Sequence, residues 1–272
     1  MRRGTTGGET GIAADVAGAI DPVFKMRRLK ITVAYDGGDY HGWQTQPGLA
    51  TIQGTLESIV SAIEGKPVHV EGSGRTDAGV HALAQVAAFS LENPIPAPNL
   101  RKAMNRVLPG DVRIMRAEEV AAEFHPRFDA KAKTYEYRIF RGEVCPPFER
   151  RYVHHHPYPL DVDAMMAAAS CLEGEHDFRA FAATDESDVP GASMVRRIFS
   201  SRLSLEGERL TYQVCGSGFL KHMVRNIVGV LLEVGKGNVT RAGVERRLET
   251  GCGIAAGPAA PARGLFLVSV EY

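Results

Sequence analysis

No apolar stretch in this sequence approaches the roughly 20 residues that a membrane-crossing helix needs. The best one, Ile227 to Val234, is short and carries Glu233. Arg2 and Arg3 have no apolar core behind them, so no secretory signal is expected. Cysteine is scarce: Cys145, Cys171, Cys215 and Cys252 lie far apart, with no C-x-x-C pair. Such spacing supplies neither a zinc knuckle nor a disulfide frame, and it argues for reduced thiols in the cytoplasm. Neither sign of charge is in excess, since 32 Lys and Arg balance 32 Asp and Glu. The string G-x-x-x-x-G-K-[ST] is missing as well, which excludes a P-loop for the glycine-rich segment around Gly74.

What remains is an ordinary globular composition of 272 residues, 44% hydrophobic and 24% charged. That is enough chain for one large domain or two modest ones with proper cores. The charge is unevenly spread. Arg127, Lys131, Lys133, Arg138 and Arg141 face only Asp129 and Glu136, and six bases between Phe219 and Leu248 face two acids. A nucleic-acid-binding face and merely solvated surfaces both fit this pattern.

Residues 1 to about 25 show no sustained apolar period and are read as a flexible tail. Leu29, Ile31, Val33 and Tyr35 alternate as a strand does, while Ile52, Leu56, Ile59, Val60 and Ile63 share one helical stripe. Val68 to Val70 and Val86 to Phe89 read as strands, Leu100 to Leu108 as a helix, and Val112 to Met115 as the start of a strand. The second half repeats the order. Tyr135, Tyr137 and Ile139 form a strand, Asp161 caps a helix to Leu172, and Ile198 to Leu205 pairs with Leu210 to Val214 around Gly207. An amphipathic helix runs from Phe219 to Val234, Thr240 caps another to Leu248, and Leu265 to Val270 closes as a strand. The fold class is therefore α+β: two tandem ferredoxin-like units with antiparallel sheets, 26–128 and 129–272, and an active-site cleft between them.

Fold alone does not give function. The segment Gly72-Ser73-Gly74-Arg75-Thr76-Asp77-Ala78-Gly79-Val80-His81-Ala82 lies between two expected strands. Its glycines permit close approach of another molecule, and Arg75, two residues from Asp77, can pair with it and keep it ionised. A structural Asx-turn at Asp77 fits the same residues. His154-His155-His156 suggests a metal site, but neighbours on a strand point to opposite faces, which disfavours one shared ion.

The string G-R-T-D-A-G-V-H from Gly74 to His81 closely resembles the catalytic motif of the tRNA pseudouridine synthase A family. Further matches follow in family order: Tyr35-Asp36-Gly37 with Gly42-Trp43-Gln44, Phe124-His125-Pro126-Arg127-Phe128 with Lys133-Thr134-Tyr135-Glu136-Tyr137, Gly218 to Asn226, and Gly264-Leu265-Phe266-Leu267. The resemblance runs from about Leu29 to Tyr272. It implies an isomerase that detaches uracil from its ribose, turns it and rejoins it through carbon, with no cofactor or metal. The implied substrate is a uridine of the tRNA anticodon stem-loop, at tRNA positions 38 to 40, and the implied enzyme is a homodimer with tRNA crossing both subunits. Asp77 is then the catalytic nucleophile or base. Arg75 pairs with it and intrudes where the base had been, and Tyr135 stacks on the extruded uracil, though its alternation with Tyr137 and Ile139 also fits a core residue. Arg225, on the side of its helix opposite the Met223–Ile227 stripe, can reach Asp77 from the second unit, contact phosphate, or do both. Leu265 and Phe266 wall the pocket, and Gly42-Trp43-Gln44 either shapes a loop near the RNA or supplies a core tryptophan. The stretch Thr184 to Gly191 matches no motif and is read as a mobile loop facing RNA or a second subunit. Two competing functions stand beside this one: a catalytically silent RNA-binding module on the same fold, and a carboxylate-dependent glycosidase, for which no second acid is at hand.

Overall fold

A computed structural model describes residues 25–183, 193–251 and 257–272. The expected tail up to residue 24, the stretch Thr184 to Gly191 and Cys252 lie outside the described residues. The first half runs β1 (Arg27–Tyr35), α1 (Ile52–Glu64), β2 (Glu71–Gly72), β3 (His81–Leu91), α2 (Ala97–Val107) and β4 (Val112–Val120). The second runs β5 (Ala132–Phe140), β6 (His154–His155), α3 (Val162–Ser170), β7 (Gly174–Asp177), β8 (Val195–Glu206), β9 (Arg209–Gly216), α4 (Met223–Gly235), α5 (Arg241–Thr250) and β10 (Leu265–Glu271).

Local chemistry fixes the ends of the helices. The Thr51 hydroxyl accepts from the Gly54 amide at the start of α1, and Gly65 closes that helix in the left-handed conformation, φ 80°. Asp161 and Thr240 cap α3 and α5 as their sequences require. Two expected elements differ. Val68 to Val70 is not a strand, because its backbone is claimed by side chains of α1. The Val68 amide donates to Ser61, the Val70 amide donates to Glu57, and Gln53 donates to the Val70 carbonyl. Nor does α4 begin at Phe219; it starts at Met223, after His222 has taken a left-handed turn at φ 57°.

The first half pairs in the order β4-β1-β3-β2 and the second in the order β10-β5-β9-β8, with β7 added at the far edge. Both are the antiparallel arrangement of a ferredoxin-like unit. They do not remain two sheets. The free edges of β3 and β10 pair in parallel, Phe266 opposite His81 and Leu267 opposite Ala82, and join all ten strands into one sheet. Pairing these edges to each other removes two exposed rows of backbone donors and acceptors. Leu29, Ile31 and Val33 of β1 and Tyr137 and Ile139 of β5 point to the helix-covered face and are buried. The other face is polar, with ion pairs such as Lys30–Glu118 and Arg138–Glu136. No described helix is long and apolar enough to cross a membrane.

Candidate active site

The edge of β3 is shared. Near its C-terminal end it pairs with β2, Gly72 opposite Ala87, and at its start it pairs with β10. Residues 73–80 leave the sheet between these pairings, so the loop carrying Asp77 stands at the seam of the two halves. Its backbone is tightly held. The Ser73 amide donates to the Val86 carbonyl, Gln85 donates to the Gly74 carbonyl, and the Trp43 amide donates to the Thr76 carbonyl at 3.0 Å. The Thr76 hydroxyl turns inward to the Tyr35 hydroxyl at 2.8 Å. Burial drives the Tyr35 pKa well above the usual tyrosine range, so it stays a neutral anchor.

The Asp77 carboxylate faces the second half. Arg225, in the first turn of α4, donates to Asp77 Oδ2 at 3.1 Å through Nη1. The same guanidinium donates through Nε to the Ala260 carbonyl at 2.8 Å, which fixes its plane. His222 Nε2 lies 3.5 Å from the same Asp77 oxygen. The N-terminal end of α4 adds the positive end of its dipole to the Arg225 charge. With 24% of its side-chain surface open, Asp77 is both paired and reachable by a ligand. Its carboxylate bonds across the seam to Arg225, not to its own backbone as an Asx-turn would require.

Tyr135 projects from β5 to the helix face, 8% exposed, with its ring edge-on to Phe219 at 5.0 Å and 79°. Burial, with the charge of Asp77 as a lesser cause, raises its pKa far above normal and keeps the hydroxyl neutral. Leu265, the first residue of β10, is buried opposite Tyr137 on that same face.

Two expectations need correction. Arg75 is exposed and, among the described residues, makes no ion pair with Asp77; that carboxylate is met instead by the Arg225 guanidinium and the His222 ring. The buried anchor at Thr76 turns Arg75 out to solvent. Phe266 does not share a wall with Leu265. Strand alternation sends it to the opposite face, where it stacks on His81 at 4.8 Å and lies under the Arg138 guanidinium at 3.9 Å. There it lines a separate cavity of about 490 Å³ with Arg209, Thr211 and Tyr152. Trp43 is 3% exposed and packs beneath Gly72, so its place is the core under the Asp77 loop.

Sequence reasoning missed His222 and the contact of Lys133 with Ser73. Lys133 had a usable signal, standing two residues before Tyr135 on one face of β5, whereas His222 lies ahead of α4 in a left-handed conformation and shares no helical face with Arg225. The histidine run does alternate. The rings of His154 and His156 lie 5.7 Å apart, while His155 bonds the Gly142 carbonyl. Among the described residues no group of three or more His, Cys, Asp or Glu is placed to hold a metal ion.

A profile described as tRNA pseudouridine synthase matches residues 31–129 and 168–272. A tRNA pseudouridine synthase A of Solibacter usitatus is 65% identical over 247 residues, covering 91% of this chain and 100% of that one. Proteins of the same name from Limosilactobacillus fermentum and Caldicellulosiruptor bescii are 46% and 40% identical, each over 91% of this chain and over 96% and 100% of their own length. A solved archaeal box H/ACA Nop10–Cbf5 complex aligns with 75% of this chain and 44% of that one at 14% identity and a TM-score of 0.30, too faint a likeness to bear on the site. With the seam loop intact and the match running through both halves, the chain belongs to the tRNA pseudouridine synthase family.

Proposed function

We propose that this chain isomerises uridine to pseudouridine in the anticodon stem-loop of tRNA, and that Asp77 is its catalytic carboxylate. The observation that carries the reading is the Asp77–Arg225 pair across the seam, open to a ligand and within electrostatic reach of Tyr135. In the reaction the uracil N1–C1′ bond breaks, the base turns, C5 bonds to C1′, and the proton lost from C5 is balanced by one gained at N1. Substrate and product have the same composition, so the site needs a held anion and a platform for the base rather than an oxidant. The target base sits in a stack and must first be extruded, at roughly a few kcal/mol. Stacking against an aromatic ring returns about 1–3 kcal/mol. Tyr135 supplies that ring, Leu265 lines the apolar side, and the exposed Arg75 extends toward the RNA to occupy the vacated stack. The working form is a cytoplasmic homodimer with one tRNA spanning both subunits.

The test is Asp77→Asn, which keeps shape and removes the charge. Pseudouridine formation in tRNA should fall by at least about a thousandfold, the scale on which a covalent catalyst is lost. Affinity for tRNA should stay within about threefold. A variant that still converts uridine at a near-normal rate takes Asp77 out of the chemistry.

A further inference from the structure

Along the seam from Asp77 lies a second group of charges that the proposed reaction leaves unused. Lys133 precedes Tyr135 by two residues on β5, so both side chains point to the same face with Cα atoms about 6.6 Å apart. Its ammonium donates to the Ser73 carbonyl at 2.5 Å, and an added Cβ on Gly74 would sit 3.1 Å from Nζ. Burial and the charge of Arg127 push the Lys133 pKa down to about 8. Arg196, on β8, is depressed by burial and by that same Arg127. The stem of Arg196 passes Gly218, where an added Cβ would lie 3.8 Å away, one residue before the Phe219 ring that meets Tyr135. Lys133 and Arg196 thus flank the Tyr135–Phe219 pair, and the exposed Arg127 lies within electrostatic reach of both. Among the described residues none of the three has an ion pair within 4.0 Å.

A partly buried cation without a counter-ion is costly, and the cost falls when an anion arrives to pair with it. An RNA strand brings one such anion with every nucleotide. Gly74 and Gly218 lack a Cβ, so neither presents a side chain beside Lys133 or Arg196. We propose that Lys133, Arg127 and Arg196 form a phosphodiester subsite gripping the RNA backbone next to the nucleotide whose base meets Tyr135. The subsite rests on the reading of Tyr135 and Asp77 given above. It assigns the lysine two partners, the Ser73 carbonyl that steadies the catalytic loop and the phosphate that registers the substrate against it.

The experiment measures the salt dependence of binding to an anticodon stem-loop RNA taken from a tRNA that the wild-type enzyme converts. Lys133→Gln and Arg196→Gln should each lower the slope of log K against log salt by about 0.7–0.9, one phosphate contact apiece. Each should weaken binding about tenfold, and Lys133→Arg should keep the wild-type slope. A methylphosphonate at one of the two linkages flanking the converted uridine should weaken the wild type by a similar factor and add little to Lys133→Gln. Unchanged slopes in both glutamine variants overturn the subsite. So does a methylphosphonate penalty equal in Lys133→Gln and wild type at both linkages. A wild-type chain that binds the RNA yet forms no pseudouridine contradicts the proposed activity instead, and the slopes are read independently of it.

Discussion

Asp77 takes its charged partner from 148 residues away, not from two. The difference sets the expected behaviour of the two arginines apart. Arg225 makes two bonds in one plane, to Asp77 and to Ala260, and a lysine has no fork with which to reproduce both. Arg225→Lys should therefore lower kcat about 100-fold or more while tRNA affinity changes little. Arg75 is exposed and makes no ion pair among the described residues, so Arg75→Gln should leave folding stability within about 0.5 kcal/mol of wild type. Its effect should appear in conversion of tRNA. A large loss of stability in Arg75→Gln, measured by urea unfolding, contradicts this division of labour. The identity of Asp77 and the reach of Arg225 are legible in the sequence, because a distinctive string and a helical face carry them. The neighbouring His222 is not legible as a contact. Its position depends on a left-handed backbone at φ 57° that no side-chain pattern encodes.

At the scale of the element, the Asp77 loop owes its shape to the short stretch Gly42-Trp43. The Gly42 and Trp43 carbonyls accept the first amides of α1, from Ile52 and Gln53, while the Trp43 amide holds Thr76. One short stretch thus couples a helix start to the loop of Asp77. Gly42 sits at φ 86°, and a Cβ there would lie 2.6 Å from the Thr76 carbonyl. Gly42→Ala should cost roughly 2–4 kcal/mol, combining left-handed strain with overpacking, and its activity should fall along with the cooperativity of the loop. An alanine variant with wild-type stability in urea and full activity shows that the brace is dispensable. The longer strands and helices are readable because their periods of 2 and 3.6 survive along the chain. Val68 to Val70 defeats that reading. Its valines have the composition of a strand, yet Ser61, Glu57 and Gln53 reach it first.

The whole molecule is where the repeat in the sequence says least. Two β-α-β-β-α-β runs are visible in chain order, and a division near Phe128 follows from them. Nothing in either run specifies that β3 will pair with β10, since edge pairing depends on which free edges meet in space. The consequence is thermodynamic. A shared sheet, with Asp77–Arg225 and Lys133–Ser73 bonds across the seam, ties the stability of each half to the other. Residues 26–128 and 129–272 should therefore unfold together. The chain has a single tryptophan, Trp43, buried in the first half, which makes the test direct. Tryptophan fluorescence reports that half alone, whereas far-ultraviolet circular dichroism reports both. In urea the two signals should share one midpoint and one slope, as a two-state unit requires. If fluorescence changes at a different urea concentration from the dichroism, the halves fold separately, and the seam becomes a docked interface that the Asp77–Arg225 pair must close on its own.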